Sequence, residues 1–374
     1  MFIMEQVLGH ITWYQNLREA VTGLNSVDAN WVETTLFDKR GVIEQLPGVP
    51  GYVRAGVRAR LDVRRALGRT QADVLVFNTQ KPAIFCQPEM RRIPTILMTD
   101  VTPFQYARMA DLYEHSVSVN PAVRLVKHWT NVLNFHLAKV VVPWSNWAAH
   151  SVINDYGVPP ERVHVVPSGV DTLHWKPASV KPGHDRLRLL FVGRNFERKG
   201  GRQLLDAFCG LGLHTRAELH IVTRDPVACP PGVVVHHNVK NNSSDLLNLY
   251  QSADIFVLPT MADCFSIASI EAMAVGVPVI TTSMGGIPDI VESGTTGFLV
   301  KPGDATDLAA ALTRLTTDEA TRKAFGKAAR ERTLRHFDAR TNAKRILGLV
   351  EHVHQERYGT SRLAFGTSAE RLAG

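Results

Sequence analysis

Short apolar runs alternate with helix-like segments along most of the chain, and this alternation restricts the possible folds more than any other feature. Each run is rich in β-branched residues, which is typical of a strand buried on both faces of a parallel sheet. Strands that alternate with helices predict parallel sheets with helices on both faces, an α/β fold. The predicted strands cover residues 72–78, 93–99, 139–144, 163–167, 187–192, 218–223, 233–237, 254–258 and 277–281.

Chain length predicts two domains. At 374 residues the chain exceeds the size at which one hydrophobic core usually keeps growing. Residues 175–185 read WKPASVKPGHD, and the two prolines, the glycine and the polar side chains are typical of a linker. We therefore expect a first domain over residues 1–176 and a second over residues 185–344.

Composition indicates the partners and the compartment. The net charge of +7 and a pI near 9.3 suit an anionic ligand or an anionic membrane surface without choosing between them, and we expect no nucleic-acid partner. The start MFIMEQVLGH lacks the basic region and long apolar core of a signal peptide, and no run of roughly 18 apolar residues occurs. These features predict a cytoplasmic protein, soluble or peripheral at the inner membrane face. The cysteines have no metal-ligand spacing and are expected to be reduced thiols: Cys86, Cys209, Cys229 and Cys264.

A glycine-rich basic loop follows the predicted strand at residues 187–192. It reads GRNFERKGG over residues 193–201 and leads into a predicted helix. This arrangement brings backbone N–H groups and cations to a diphosphate. Arg194 and Lys199 are therefore candidate catalytic residues, because they would stabilise the negative charge that builds on a departing diphosphate. The alternative is that both are ordinary surface cations.

Two carboxylates lie eight positions apart in a second strand–loop–helix unit. In the stretch over residues 254–303 a buried strand is followed by a loop, and then by a helix that stops at Gly276. Ligands of open α/β sheets bind outside the carboxyl ends of the strands, so this loop belongs to the ligand edge. Asp263 lies in the loop, and Glu271 lies on the second helical turn, where a carboxylate suits a ribose diol. The alternatives are a helix cap for Asp263 and an exposed helix position for Glu271.

These segments resemble glycosyltransferase family 4, a retaining group with the GT-B fold. Four matching stretches cover most of residues 140–300, whereas residues 1–140 match only loosely. The stretches are FVGRNFERKGGRQLLDAF (191–208), SSDLLNLYQSADIFVLPT (243–260), DCFSIASIEAMAVGVPVITTSMGGIPDIVESGTTGFLV (263–300) and VPWSNWAAHSVINDYGVPPERVHVVPSGVDTLHWKP (142–177). The resemblance implies two Rossmann-like domains that face each other across a cleft. It also implies that a helix over residues 345–374 returns to the first domain.

The resemblance also implies roles for individual residues of the second domain. Arg194 and Lys199 match the family's diphosphate-binding pair, and Glu271 matches the second glutamate of its E-x7-E motif, which contacts the ribose. Asp263 stands where the first glutamate of that motif touches the transferred sugar, and its side chain is one methylene shorter. A further match to the family's phosphate-binding turn, in which Ser266 replaces the usual glycine, is formed by Phe265, Ser266 and Ile267.

In the first domain the resemblance implies a glycine after the first strand and a histidine after a later one. Gly9 is the candidate for the glycine, because a residue without Cβ lets the backbone approach a phosphate. Asp100 occupies the place expected for the histidine, and His115 comes fifteen residues later. Asp100 would orient a donor hydroxyl or the acceptor. Capping, or a turn before Pro103, is the alternative.

The implied activity is transfer of a sugar from a UDP- or GDP-linked donor to an acceptor hydroxyl, with retention of configuration. The donor is a co-substrate, and neither a cofactor nor a metal ion is expected, because no ligand cluster of suitable spacing occurs. The acceptor is a glycan, a lipid or a small molecule. Two other interpretations stay open: a nucleotide-sugar epimerase or phosphorylase-like enzyme on the same fold, and a non-catalytic subunit that binds a nucleotide sugar.

A basic segment in the first half has two interpretations. It begins at Arg54, ends at Arg69 and reads RAGVRARLDVRRALGR, with six arginines and one aspartate. One interpretation is a solvated surface helix. The other is a contact with a membrane surface or an acidic acceptor.

Overall fold

A computed structural model describes residues 1–7, 9–24, 27–35, 51–113, 121–180 and 183–359. His115 lies outside these residues. Two parallel sheets with helices on their faces confirm the predicted α/β class. The first sheet has the strand order β2-β1-β3-β4-β5. Its strands are Phe2–Glu5 (β1), Trp31–Thr34 (β2), Leu75–Phe77 (β3), Thr95–Thr99 (β4) and Val140–Pro143 (β5).

The second sheet has six strands in the order β11-β10-β9-β6-β7-β8, and each described strand pair is parallel. Its register places Leu189 of β6 beside Ile255 of β9, so the two strands whose loops carry the predicted site are neighbours. The strands are Leu187–Val192 (β6), Ala217–Val222 (β7), Val233–His236 (β8), Ile255–Leu258 (β9), Val279–Thr282 (β10) and Gly297–Val300 (β11).

Helices connect the strands and cover both sheets. In the described part of the chain they are Gly9–Thr22 (α1), Gly51–Leu67 (α2), Gln87–Arg92 (α3), Pro103–Arg108 (α4), Pro121–Leu137 (α5), Asn146–Asn154 (α6), Gly201–Gly210 (α7), Ser244–Ser252 (α8), Ile267–Ala274 (α9), Ile287–Ile290 (α10), Ala305–Thr317 (α11), Glu319–His336 (α12) and Ala339–Tyr358 (α13). Short 3-10 turns add to these at Ala110–Tyr113, Pro160–Arg162 and Leu213–Thr215.

The predicted strand at residues 163–167 is wrong. Two backbone N–H groups of this segment donate hydrogen bonds to carbonyl oxygens of β5. His164 N–H donates to Val141 O and Val166 N–H donates to Pro143 O, each at 3.0 Å. Only the isolated bridge between Val141 and Val163 forms there, because Pro143 has no N–H to extend the ladder. Two separate helices, α12 and α13, follow near the end of the described chain, since Asp338 caps α13 by accepting from Thr341 N–H.

Side chains on the two faces of the first sheet pack into two different hydrophobic cores. One face, with Ile3 and Phe77, packs against α2, α3 and α5. The opposite face, with Met4 and Met98, belongs to a core that includes α1 and α13 and continues into the second sheet. Helix α13 contacts α1, so the chain returns to the first sheet near its end. The limits of the two domains stay a prediction.

Polar and aromatic contacts join the two halves. Asn146 donates from its backbone N–H to Asp289 Oδ2 at 2.6 Å. Asn241 Nδ2 donates to Thr12 Oγ1 at 3.0 Å. The Trp144 ring meets the Phe265 ring edge-on, with centroids 5.8 Å apart. These contacts bring the carboxyl edges of both sheets close together.

The return of α13 onto the first half should contribute strongly to stability. Ile346 lies on α13 and is fully buried in the core that contains α1. Ile346→Ala is expected to lower the free energy of unfolding by about 2–4 kcal/mol, because it leaves a cavity. Urea denaturation measures this. Leu334→Ala on α12 is the control, since Leu334 is exposed and should change stability by about 0.5 kcal/mol or less. Equal effects of both substitutions would contradict the assignment.

Candidate active site

The basic loop after β6 reaches the end of β9 through a glycine. Gly200 has φ +79°, and a Cβ there would lie 1.9 Å from the Pro259 carbonyl oxygen. Only glycine therefore fits both the left-handed backbone and the close approach. Helix α7 starts directly after Gly200, so the loop ends at a helix N-terminus.

The ion pair between Lys199 and Asp263 joins the two predicted loops. Lys199 Nζ donates to Asp263 Oδ2, and both side chains are largely buried. Asp263 is not the helix cap that was one alternative, because Ser266 caps α9 by accepting from Ser269 N–H. The structure therefore brings together two candidate residues from separate loops and leaves Asp263 oriented by a cation.

Two aromatic rings and two cations form a bridge across the cleft, which the sequence did not predict. Arg198 lies over the Tyr113 ring, with its guanidinium carbon 4.3 Å from the centroid, and donates to Ala262 O at 2.7 Å. Tyr113 packs on Tyr106 with centroids 5.0 Å apart, and Lys81 Nζ lies 5.9 Å from the Tyr106 centroid. One cation comes from each half of the chain. Such contacts stabilise a cation most where water is excluded.

Arg194 differs from its neighbours in the same loop. Its side chain is exposed, and no hydrogen bond or ion pair holds it within the part of the chain that the structure describes. It lies directly after Gly193, which follows β6, and is therefore at the carboxyl edge of the second sheet. The structure leaves its guanidinium available to an anion at that edge.

Glu271 is a buried carboxylate on the second turn of α9. Tyr250 directs its hydroxyl at Glu271 Oε2 at 2.9 Å, with Ala268 O as a second acceptor at 3.2 Å. Burial raises the pKa of Glu271 from 4.5 to about 7, and the Tyr250 hydrogen bond opposes that shift. The exposed surface position that was one alternative is therefore wrong. A carboxyl with such a pKa gains most from a partner that donates hydrogen bonds to it.

The turn before α9 contacts the first half of the chain. Phe265 is buried between Trp144 and Phe337, with ring centroids at 5.8 and 6.5 Å, so its side chain serves packing. Ile267 opens α9 and faces Gly9, where an added Cβ would lie 3.8 Å from Ile267 Cδ1. Gly9 is the first residue of α1. Gly9 therefore lies at the N-terminus of α1 within contact distance of the N-terminus of α9, and a Cβ there would meet no clash.

A second charged cluster lies on the first-domain side of the cleft. It consists of Glu5 at the end of β1, His10 on α1, Lys81 after β3 and Asp100 after β4. Lys81 Nζ lies 3.2 Å from Glu5 Oε1, and His10 Nε2 lies 3.6 Å from Asp100 Oδ2. The His10 Nδ1 atom is buried without a hydrogen-bond partner among the described residues. The cluster therefore retains an unused polar atom.

Burial and mutual attraction set the charges of this cluster. Burial raises the pKa of Asp100, and His10 and Lys81 oppose that shift without cancelling it. For Glu5 the attraction of Lys81 and His10 outweighs burial, so its pKa lies below the usual value. The pKa of Lys81 is raised because Glu5 and Asp100 outweigh its own burial. Asp100 does not cap α4, since Thr102 does so in a capping box with Gln105.

The two clusters meet at Cys264. Burial raises the pKa of the Cys264 thiol well above its usual value, and the Asp100 and Asp263 carboxylates add to that shift from opposite sides. Tyr113 Oη lies 3.4 Å from Cys264 Sγ. Cys264 packs with Val101 and acts as a small apolar side chain. Asp100 and the Lys199–Asp263 pair therefore line neighbouring parts of one cleft.

A cavity outside the cleft contains none of the predicted site residues. It has a volume of about 660 Å³ and opens beside α8, where Arg188 and His236 line it. Among the described residues, no group of three or more His, Cys, Asp or Glu side chains is arranged to hold a metal ion. No helix in the described ranges is both long and apolar enough to cross a membrane.

Comparison with known families matches the two halves separately. The family described as "Glycosyl transferases group 1" matches residues 175–332. The family described as "Glycosyltransferase Family 4" matches residues 29–173. Together the two matches extend over most of the chain and meet close to the predicted linker.

Similar proteins agree with these matches. MMP alpha-(1->4)-mannosyltransferase of Mycolicibacterium hassiacum is 29% identical over 55% of this chain and 52% of its own. The chain thus spans about half the length of the curated relatives it matches. Sucrose-phosphate synthase from Thermosynechococcus elongatus has the same fold, with a TM-score of 0.72 at 18% identity over 95% of this chain and 96% of the other. Anabaena HepE, solved with UDP and glucose, follows with 0.65 at 16% identity over 94% and 99%. These neighbours confirm the GT-B fold.

The buried carboxyl of Glu271 should make stability depend on pH. Its pKa in the folded protein lies above the unfolded value, so its stability contribution is complete below about pH 4.5 and is lost as pH rises through about 7. Glu271→Gln removes that loss. We expect the variant to be more stable than the wild type by about 1–3 kcal/mol at pH 8.5, with the difference shrinking towards pH 5.

Denaturant unfolding at both pH values measures the difference. Glu331→Gln on the exposed side of α12 is the matched control and should show no such trend. A difference for Glu271→Gln that stays the same from pH 5 to pH 8.5 would contradict the assignment.

Proposed function

The chain belongs to glycosyltransferase family 4, and we propose that it transfers a sugar from a nucleoside-diphosphate donor to an acceptor hydroxyl with retention of configuration. The donor would be UDP- or GDP-linked. The observation that carries the proposal is the Lys199–Asp263 pair at the carboxyl edge of β6 and β9. In this proposal the Lys199 cation serves the diphosphate and the Asp263 carboxylate beside it serves the sugar.

Lys199 and Arg194 would bind the diphosphate. Lys199 is held by Asp263 in the free protein, so its ammonium is already oriented before a phosphate competes for it. Arg194 is exposed and would turn towards the same anion. Charge on the leaving group grows during bond cleavage, so preplaced cations stabilise the transition state more than the ground state.

Glu271 would bind the ribose. Its carboxylate lies one helical turn beyond the N-terminus of α9, and a diol donates two hydrogen bonds to one carboxylate. Burial disfavours the charged form of Glu271, and two donated hydrogen bonds would compensate for that cost. The N-terminus of α9, together with Ser266 and Ile267, would contribute its backbone N–H groups to the phosphates.

The first-domain cluster would orient the sugar or the acceptor. Asp100 and His10 face the cleft next to Cys264, opposite the diphosphate loop. A carboxylate accepts from a sugar hydroxyl, and His10 Nδ1 offers a further unpaired polar atom. Gly9, without a Cβ, would let the backbone at the start of α1 approach the donor phosphates.

In this proposal no protein nucleophile takes part. The glycosidic carbon–oxygen bond to the diphosphate breaks as the acceptor oxygen approaches from the same face. The departing phosphate oxygen accepts the acceptor's proton, so charge and proton stay balanced. Rate acceleration then rests on charge stabilisation and on alignment of donor and acceptor in the cleft. In this proposal side-chain cations neutralise the departing diphosphate, and neither a metal ion nor a cofactor takes part. EDTA is therefore expected to leave turnover unchanged.

Removing the cation at position 199 should abolish most activity. Lys199→Met is expected to lower kcat by about 100- to 1,000-fold, because charge on the diphosphate is left unstabilised. Lys199→Arg keeps the charge and should recover part of the rate. Lys323→Met, an exposed lysine of α12, is the control and should leave kcat unchanged.

The donor is first identified by a thermal-shift screen of nucleotide sugars, since a ligand of the folded state raises Tm. Turnover is then followed by release of the nucleoside diphosphate in the presence of acceptors. Full activity of Lys199→Met would overturn the proposed role. Epimerisation of the donor in the absence of acceptor would overturn the proposed reaction.

Asp100 should affect catalysis without affecting nucleotide binding. It lies on the wall opposite the diphosphate loop, so Asp100→Asn is expected to reduce kcat/KM by about 10- to 100-fold. The Kd of the free nucleoside diphosphate, measured by calorimetry, should stay within about twofold of the wild type. A parallel loss of nucleotide affinity would place Asp100 at the diphosphate instead.

A further inference from the structure

Helix α5 carries an exposed apolar stripe. Leu125 is 58% exposed, Val126 61% and Trp129 60%, and Leu133 continues the stripe one turn later at 39%. Spacings of three and four residues place these side chains on one side of the helix. The opposite side is anchored in the core through Phe135. The stripe therefore faces outwards.

The charged side chains of helix α5 are all basic. Helix α5 contains Arg124 and Lys127 and no acidic residue. Beside it, Lys127 Nζ lies 5.8 Å from the ring centroid of Tyr52, which is in the first turn of α2. The segment over residues 54–69 lies on α2 and just beyond it, so the arginine-rich helix and the apolar helix adjoin.

Helix α2 has the same character on its outer side. Val57 and Leu61 are exposed, and so are Arg64 and Arg65 one turn further on. Both α2 and α5 pack on the same face of the first sheet, with Val63 and Phe135 in one core. The outer surfaces of the two helices therefore belong to one side of the molecule.

This side of the molecule adjoins the cleft. Helix α2 packs directly on the loop that follows β3 and carries Lys81, because a Cβ added at Gly56 would lie only 2.1 Å from Ile84 Cγ2. Lys81 belongs to the charged cluster with Glu5 and Asp100. Helix α2 therefore lies near the first-domain wall of the candidate site.

We propose that α2 and α5 together dock on an anionic lipid surface. Exposed leucine, valine and tryptophan side chains would enter the boundary of headgroups and acyl chains. The exposed side chains of Arg64, Arg65 and Arg124 would contact the anionic headgroups, in agreement with the net charge of +7. A negatively charged surface with an apolar layer just beneath it complements both features of this face.

Docking in this way would place the cleft next to the bilayer. The reaction proposed above would then act on an acceptor hydroxyl carried by a lipid headgroup. This consequence rests on the proposed function, whereas lipid docking itself does not. A binding assay without any donor therefore tests docking alone.

Flotation with vesicles provides the test. The intact protein is expected to float with vesicles of phosphatidylcholine containing 30% phosphatidylglycerol and to stay behind with phosphatidylcholine alone. Sodium chloride at 0.5 M should weaken binding, because it screens the headgroup contacts. Leu125→Glu combined with Val126→Glu is expected to weaken partitioning by about tenfold or more.

Leu334→Glu is the matched control, because Leu334 is also an exposed helical leucine, on α12. It should bind vesicles as the wild type does. Circular dichroism and the nucleotide thermal shift check that each variant is folded. Unaltered flotation of the double variant, or failure of the wild type to float with anionic vesicles, would overturn the proposal.

Trp129 supplies an independent readout. Brominated lipids should quench part of the wild-type fluorescence, and Trp129→Phe should remove that quenched part while other tryptophans remain. Equal quenching of both proteins would contradict insertion of α5. A concentration-dependent dimer in light scattering that is lost in the double variant would assign the face to a second copy instead.

Discussion

Parallel pairing in both sheets is the constraint on which the rest of the structure depends. Strands that run in one direction send every strand-to-helix loop to the same edge of their sheet. The loop after β6 and the loop after β9 therefore meet, and Lys199 pairs with Asp263. On the other side, the ends of β1, β3 and β4 bring Glu5, Lys81 and Asp100 together.

Contacts between the two edges turn two such loop clusters into one cleft. Phe265 packs on Trp144, and the tyrosines at 106 and 113 connect Lys81 with Arg198. These contacts exclude water, which strengthens the charge interactions within the cleft. Burial of Glu271 on α9 likewise raises its pKa, and the hydrogen bond from Tyr250 only partly opposes that shift.

The sequence predicted more residues of the candidate site in the second half of the chain than in the first. The basic loop and the carboxylate loop are continuous segments, so their residues could be named from local spacing. Three residues of the first-domain cluster were not predicted as site residues, because they lie on three different elements and only the strand order makes them neighbours: Glu5, His10 and Lys81. The contacts of Arg198 were not predicted for a similar reason, because its partners Tyr113 and Ala262 are distant in the chain. The short strand β2, with mixed composition in WVET, gave no periodic signal.

The sequence by itself determined the α/β class and the presence of a basic loop and a carboxylate loop, each directly after a buried strand. These features follow from local composition, because buried parallel strands and glycine-dependent turns each have a characteristic sequence pattern only a few residues long. Tertiary structure decided that Lys199 is paired with Asp263, that Glu271 is buried against Tyr250, and that the apolar stripe of α5 stays uncovered. Such properties depend on which distant segments of the chain pack on a side chain and exclude water from it. A local sequence pattern does not predict that packing.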